Sequence, residues 1–108
     1  MTPSPGEIWL ADIPFTNGSA SKIRPVLVLW LDAADCVLVA VTSAPPRSPS
    51  DVPLVNWQAA GLRVPSTARL SRLDCLQQIL LVKKLGKISS SDAQRIKQVW
   101  TEQIQLRF

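Results

Sequence analysis

Histidine is absent from the 108-residue sequence, and cysteine occurs only twice. The first absence removes the most common general acid or base and the most common metal ligand of proteins. A serine–histidine triad is therefore excluded, and we expect neither a metal site nor a cofactor. Cys36 and Cys75 are too few for a disulfide framework and lack metal-site spacing, so both are predicted to lie in the core. Any catalysis must then use Asp, Glu, Lys, Arg, Ser, Thr or Cys.

Long apolar runs are also missing. No stretch approaches the roughly 20 residues that are needed to span a bilayer, and residues 1–8 lack the pattern of a signal peptide. The hydrophobic content of 46% and the charged content of 19% are those of ordinary globular proteins. We therefore expect one cytoplasmic domain over residues 1–108, with no membrane partner.

The net charge of +4 is distributed unevenly along the chain. Residues 1–62 hold three basic and five acidic side chains, whereas residues 63–108 hold nine basic and three acidic ones. Between Arg63 and Lys87, six basic residues face a single acid. This asymmetry favours a polyanionic partner, although a net charge of this size is also common in proteins that need it only for solubility.

Apolar periodicity predicts several strands followed by a helix. Alternation over residues 6–13 predicts a first strand, and the apolar run 26–31 predicts a second strand that is buried on both faces. A turn at 32–35 leads into a returning strand over 37–41, so this pair is predicted to form a hairpin. Shorter strands are predicted near residues 52–55, 67–73 and 79–83.

The last fifth of the chain changes period. Ser89–Asp92 supplies helix N-cap candidates, and apolar residues then recur at i, i+3 and i+4 up to Ile104. This pattern predicts an amphipathic C-terminal helix. The proline-rich segment 44–53 is predicted to be a loop. Together these elements predict a mainly β fold, a small and partly open β-barrel with the helix laid against it.

Arg24 and Pro25 precede the second predicted strand. Proline fixes φ and lacks a backbone donor, so we expect Pro25 at the start of that strand and Arg24, with Lys22, at the rim of the sheet. A guanidinium held there matches two phosphate oxygens at once. The alternative is a solvated arginine that merely precedes a strand.

Three segments carry a family resemblance: GEIWLAD at residues 6–12, RPVLVL at 24–29 and VAVTS at 39–43. In this order and at this spacing they resemble the MazF/PemK/Kid family of toxin endoribonucleases from bacterial toxin–antitoxin pairs. The similarity continues through residues 60–62 and 84–88 to the final helix. It implies a CcdB/MazF-type, SH3-like barrel, a homodimer, and metal-independent cleavage of single-stranded RNA. It also implies a cognate antitoxin, and the basic stretch predicts that this partner has an acidic, disordered tail.

The same resemblance assigns four catalytic candidates. Arg24 matches the family's catalytic arginine, and Thr42 matches its active-site threonine or serine. Arg72 and Asp74 fall where one branch of the family carries an Arg-x-Asp pair that acts as acid and base. Each residue also has a structural alternative, since Thr42 is a good turn former and Arg72 with Asp74 is typical of a surface pair.

Metal-free cleavage of RNA uses the ribose 2′-hydroxyl as the nucleophile. It needs a base for that proton, a cation for the phosphorane charge and a proton donor for the leaving oxygen. We expect Arg24 and Arg72 to stabilise the charge, Thr42 to bind phosphate or orient the hydroxyl, and Asp74 to be the base. Further RNA-binding candidates are Lys22, Ser19, Ser43, Arg47, Arg69 and Trp57, of which Trp57 is either a base-stacking or a core residue.

One departure from the family concerns the loop over residues 16–23. Many members carry a glutamate or histidine there, whereas this loop has neither. Lys22 is the candidate to replace part of the missing function. A catalytically degenerate member that only binds RNA or its antitoxin therefore stays an alternative. A third hypothesis is a gyrase-inhibiting toxin of the same fold, which would rely on exposed apolar residues such as Leu106 and Phe108.

Overall fold

The computed structural model describes residues 2–14, 18 and 20–108. They form one antiparallel sheet with the strand order β4-β5-β3-β2-β1-β6, followed by a helix. The prediction of a mainly β fold with a C-terminal helix is confirmed. The elements are β1 (Glu7–Pro14), β2 (Ser21–Asp32), β3 (Asp35–Thr42), β4 (Asp51–Pro53), β5 (Thr67–Gln77), a 3₁₀ turn (Gln78–Leu80), β6 (Leu81–Lys87) and α1 (Ser90–Gln103).

The sheet is open within the described residues, so the predicted barrel is only a loose description. β4 and β6 form the two edges of the sheet. β4 has three residues and, in the part of the chain that the structure describes, pairs with β5 alone, because it follows a proline-rich loop and itself ends at Pro53. Proline cannot donate to a ladder, which keeps this segment short and at an edge.

The predicted start of the second strand is wrong. β2 begins at Ser21, so Arg24 and Pro25 lie inside it and pair with Ala11 and Leu10 of β1. The ladder between β2 and β3 begins only at Val26. Pro25 therefore lies in a half-strand that is paired on one side, and its missing N–H removes no bond to β3.

Each face of the sheet carries a core, because successive strand residues point to opposite faces. The larger core contains the helix residue Ile96 and the buried strand residues Ile8, Leu27, Val39, Val41, Val52, Ala68 and Leu70, with Leu54 and Ala60 beside them. The smaller core contains Trp9, Ala11, Val26, Val28, Cys36, Leu38 and Leu81. Cys36 is buried as predicted, but Cys75 is exposed because residues 71–75 of β5 lie outside both cores.

The helix begins at the predicted cap. Ser89 Oγ accepts the N–H of Asp92 at 3.2 Å, and the fully buried Asp92 carboxylate accepts the backbone N–H groups of Val55 and Asn56 at 3.0 Å each. Burial alone would raise the pKa of Asp92, but the hydrogen bonds from Asn56, Val55 and Arg95 outweigh it and hold that pKa below its usual range. The carboxylate thus fastens the segment after β4 to α1.

Two glycines allow a close approach between the segments 60–62 and 84–88. A Cβ on Gly61, whose φ is +88°, would overlap the carbonyl oxygen of Leu85, and a Cβ on Gly86 would overlap that of Ala60. The two segments are therefore packing partners. No helix in the described part of the chain is long and apolar enough to cross a membrane.

Candidate functional site

A pocket of about 420 Å³ opens on the smaller-core face of the sheet. The four residues predicted to be catalytic, together with the RNA-binding candidate Arg69, are among its lining. The full lining is Ile13 of β1, Arg24 and Val26 of β2, Leu38 and Ala40–Thr42 of β3, and Arg69 and Ser71–Asp74 of β5.

Strand register explains why residues far apart in the sequence meet here. Cross-strand partners in an antiparallel pair share a face of the sheet. Arg24 pairs with Ala11, and Asp74 pairs with Leu38. Because Ala11 and Leu38 both belong to the smaller core, Arg24 and Asp74 lie on that same face.

A bulge in β5 adds further pocket residues. Val39 pairs with Leu73 and Ala40 with Arg69, so residues 70–72 have no partner in β3. Leu70 is buried in the larger core and donates its N–H to the Ser50 carbonyl at 3.1 Å, whereas Ser71 and Arg72 line the pocket. Bulges re-aim side chains in this way. Ser71 was not among the sequence predictions, since no local signal marks the bulge.

Thr42 lies in a position that is compatible with both of the roles that the sequence allows. It lines the pocket at the end of β3, and its Oγ1 accepts the backbone N–H of Ala44 at 3.1 Å. The hydroxyl proton remains available to a ligand, because accepting a hydrogen bond does not use it.

The pocket holds three guanidinium groups and one carboxylate. Asp74 Oδ1 accepts the N–H of Cys75 at 2.8 Å. Among the described residues Arg72 and Asp74 form no ion pair with each other, and neither Arg24 nor Arg72 pairs with a carboxylate. The surface ion pair between Arg72 and Asp74, which the sequence offers as an alternative, is therefore not formed. This excess of exposed positive charge favours an anionic ligand with several oxygen atoms.

Arg69 differs from the other two arginines because it is held by a buried acid. Its Nη2 lies 3.3 Å from Asp51 Oδ2, and the side chains of Arg69 and Asp51 are 12% and 1% exposed. Asp51 was not among the sequence predictions, since a lone acid in a proline-rich loop gives no sign that it will be buried.

The remaining RNA-binding candidates do not line this pocket. Lys22 is exposed and lies across from the pocket residue Ile13, Ser43 follows Thr42, and Arg47 is exposed in the loop before β4. Trp57 is partly buried against the larger core, on the other side of the sheet. Ser19 lies outside the described residues.

A second and more apolar groove of about 710 Å³ lies between β2 and α1. Trp30 is 44% exposed, and its ring meets that of Trp100 edge-on with centroids 6.1 Å apart. Lys87 and Lys97 are also part of the lining. No group of three or more His, Cys, Asp or Glu residues with a metal-binding arrangement occurs in the part of the chain that the structure describes.

Several solved structures share this fold. An endoribonuclease from a mycobacterial species matches with a TM-score of 0.75 at 17% identity, covering 100% of this chain and 96% of that one. An endoribonuclease in complex with its cognate antitoxin, also mycobacterial, matches with a TM-score of 0.74 at 18% identity, covering 98% of each chain. MazF from Deinococcus radiodurans matches with a TM-score of 0.71 at 20% identity, covering 96% and 97%.

Sequence comparison adds the family. A search of curated protein sequences found no match. The model of the family described as PemK-like, MazF-like toxin of type II toxin-antitoxin system matches residues 4–104. Since this match spans nearly the whole fold that builds the pocket, the chain belongs to the PemK-like, MazF-like toxin family.

Proposed function

We propose that this protein is the toxin of a toxin–antitoxin pair and a cytoplasmic endoribonuclease that cleaves single-stranded RNA without a metal ion. The observation that carries the proposal is the pocket, because Arg24, Thr42, Arg72 and Asp74, which the sequence predicts to be catalytic, all line it. The fold neighbours that are endoribonucleases lend further support.

In the proposed reaction Asp74 takes the proton of a ribose 2′-hydroxyl, and the 2′ oxygen attacks the adjacent phosphorus. The new O2′–P bond forms as the P–O5′ bond breaks, which leaves a 2′,3′-cyclic phosphate. Arg24 and Arg72 stabilise the charge on the phosphorane oxygens, and Thr42 donates its hydroxyl to the phosphate. The departing 5′ oxygen needs a proton, for which Lys22 is the candidate donor.

A binding-only protein is the second candidate function. It is favoured by the composition of the pocket, whose described lining holds one carboxylate. It is also favoured by the sequence of residues 16–23, which contains neither the acid nor the imidazole that many relatives carry there. Such a protein would bind RNA in this pocket and leave it intact. Growth arrest without RNA cleavage would instead favour the gyrase-inhibiting alternative.

We further propose an antitoxin whose acidic, disordered tail competes with RNA for the positive pocket. Fold neighbours solved with a cognate antitoxin support the existence of such a partner. A segment that folds on binding covers a large surface, and its affinity should fall with added salt if charge attracts it. Co-expression of the neighbouring reading frame should then rescue growth.

The protein is also proposed to be a homodimer. The groove between β2 and α1 is lined mainly by apolar residues, among them Trp100 and the 44% exposed Trp30, and exposed apolar side chains in a groove are common at interfaces. A second copy that buries Trp30 against the same groove would remove this surface from water. The pocket with Arg24 does not include either tryptophan.

Cleavage of a long RNA by the purified protein tests the proposed activity. Cutting should survive excess EDTA, and Arg24→Ala should lower its rate by about 10²–10³, since one preorganised charge donor is lost. Arg72→Ala should cost less, and Asp74→Asn should remove the base. Arg107→Ala, which deletes the same charge at the C terminus, is the matched control. A requirement for magnesium, or an Arg24→Ala variant that folds and cuts at the wild-type rate, would contradict the proposal.

A further inference from the structure

A buried carboxylate holds one of the three arginines at the pocket. Arg24 and Arg72 are exposed, whereas Arg69 contacts Asp51 Oδ2 at 3.3 Å and is only 12% exposed. Asp51 and Arg69 are cross-strand partners in the β4–β5 ladder, so the strand pairing itself brings the two side chains together.

The same Asp51 oxygen also holds the loop before β4. Oδ2 accepts the backbone N–H of Arg47 at 2.8 Å, and the Asp51 N–H donates to the Ser48 carbonyl at 3.1 Å. One carboxylate, 1% exposed, therefore connects the proline-rich loop to the wall of the pocket.

We infer that Asp51 is a positioning residue that fixes the Arg69 guanidinium at the wall of the pocket for a phosphate of bound single-stranded RNA. A guanidinium has five N–H donors, and within the described residues only one of the Arg69 nitrogens is engaged, by Asp51, which leaves donors for a ligand. Holding the group in advance lowers the entropy cost of binding. This inference rests on the proposed function, because it assumes that the pocket takes RNA phosphate.

Charge alone predicts the opposite effect of removing Asp51. Deleting a negative charge beside a polyanion site should strengthen binding by simple electrostatics. If Asp51 acts by positioning Arg69, Asp51→Asn should weaken binding even though the protein becomes more positive. The sign of the change in affinity therefore separates the two effects.

The experiment compares Asp51→Asn, Arg69→Gln and the double variant with the wild type. A single-stranded 2′-deoxy oligonucleotide, which offers no 2′-hydroxyl nucleophile, gives Kd as a function of salt, and the matching RNA gives kcat and KM. Each single variant should weaken binding by about tenfold, and Arg69→Gln should lower the salt slope by about 0.7. The double variant should be no weaker than Arg69→Gln, because Asp51 acts through Arg69. KM should rise with Kd, and kcat should change less.

Asp92→Asn is the matched control, because Asp92 is also a buried aspartate bonded to an arginine but lies at α1. It should lower the free energy of unfolding and leave Kd unchanged. Three results would overturn the inference: unchanged or tighter binding by Asp51→Asn, losses that multiply in the double variant, or an equal loss of affinity in Asp92→Asn.

Wild-type protein supplies a test that does not need Asp51→Asn to fold. In ¹⁵N NMR, rotation of the Arg69 guanidinium should be slow and that of Arg24 and Arg72 fast. Fast rotation of all three would overturn the inference.

The proposed activity and this inference can fail separately. If the wild type binds the oligonucleotide but cuts no RNA, the proposed activity alone is contradicted. If the wild type is active and Asp51→Asn leaves both Kd and KM unchanged, this inference alone is contradicted. A wild type that neither binds the oligonucleotide nor cuts RNA would overturn both.

Discussion

The ion pair between the buried Glu7, at the start of β1, and the exposed Lys84 predicts how stability depends on pH. Glu7 Oε1 accepts the N–H of Ser4 at 2.8 Å and the indole N–H of Trp9 at 2.9 Å, while Oε2 lies 2.8 Å from Lys84 Nζ. The hydrogen bond from Lys84, helped by those from Trp9 and Ser4 and opposed by burial, lowers the pKa of Glu7 from its ordinary 4.5 to about 2.

The size of the effect follows from that difference in pKa. A carboxyl that titrates at 4.5 in the unfolded chain and at about 2 in the folded one contributes at most about 3 kcal/mol to the free energy of unfolding. Lys84 is 44% exposed, so screening by solvent should reduce this to about 2 kcal/mol or less. Because the folded-state pKa is the lower one, this stability is present above pH 4.5 and is lost as the pH falls towards 2.

Urea unfolding between pH 7 and pH 2.5 should reveal this contribution. Glu7→Gln keeps an acceptor for Ser4 and Trp9 but loses the charge, so it should be less stable than the wild type at pH 7 and should approach it near pH 2.5. Glu102→Gln, at an exposed helix position, should follow the wild type throughout. A Glu7→Gln curve that runs parallel to the wild type across the whole range would refute the reasoning.

Three further predictions concern packing and assembly. Asp92→Ala should cost about 2 kcal/mol or more in urea unfolding, because Val55, Asn56 and Arg95 would lose their fully buried acceptor. A loss below about 1 kcal/mol would contradict this. Gly86→Ala should lower the melting temperature more than Gly18→Ala, because a Cβ at residue 86 would overlap the Ala60 carbonyl. At residue 18 a Cβ meets open space, and only the positive φ opposes the substitution. Equal losses in melting temperature would contradict the close approach at Gly86. In light scattering, Trp30→Glu should convert the dimer into a monomer of 11.8 kDa. Ile79→Glu, at the exposed 3₁₀ turn, should leave the dimer intact. A wild-type protein with the mass of a monomer would refute the dimer.

Local patterns in the sequence predicted the features that depend on local physics. The cap at Ser89 and the apolar face of α1 follow from helix periodicity, and both are present. The alternation around Trp9 predicted the first strand, and the Arg24 and Thr42 motifs identified two residues that now line one pocket.

Long-range pairing decided what the sequence could not predict. The start of β2 at Ser21 depends on its pairing with β1, which within the described residues is the only strand that pairs with Pro25, and no property of residues 21–25 reveals that. The bulge that carries Ser71 depends on how β5 pairs with β3 while Leu70 enters the core on the other face. Likewise, the burial of Asp51 beside Arg69 depends on the pairing of β4 with β5.

The measurement that tests the central claim most directly compares two oligonucleotides of the same sequence, one of RNA and one of 2′-deoxyribose, in excess EDTA. The account predicts that the wild-type protein cuts the RNA, leaves 2′,3′-cyclic phosphate ends and spares the deoxy strand, because the 2′-hydroxyl is the nucleophile. It also predicts that Asp74→Asn removes this cleavage. Cleavage of both strands, or of RNA only when magnesium is added, would contradict it.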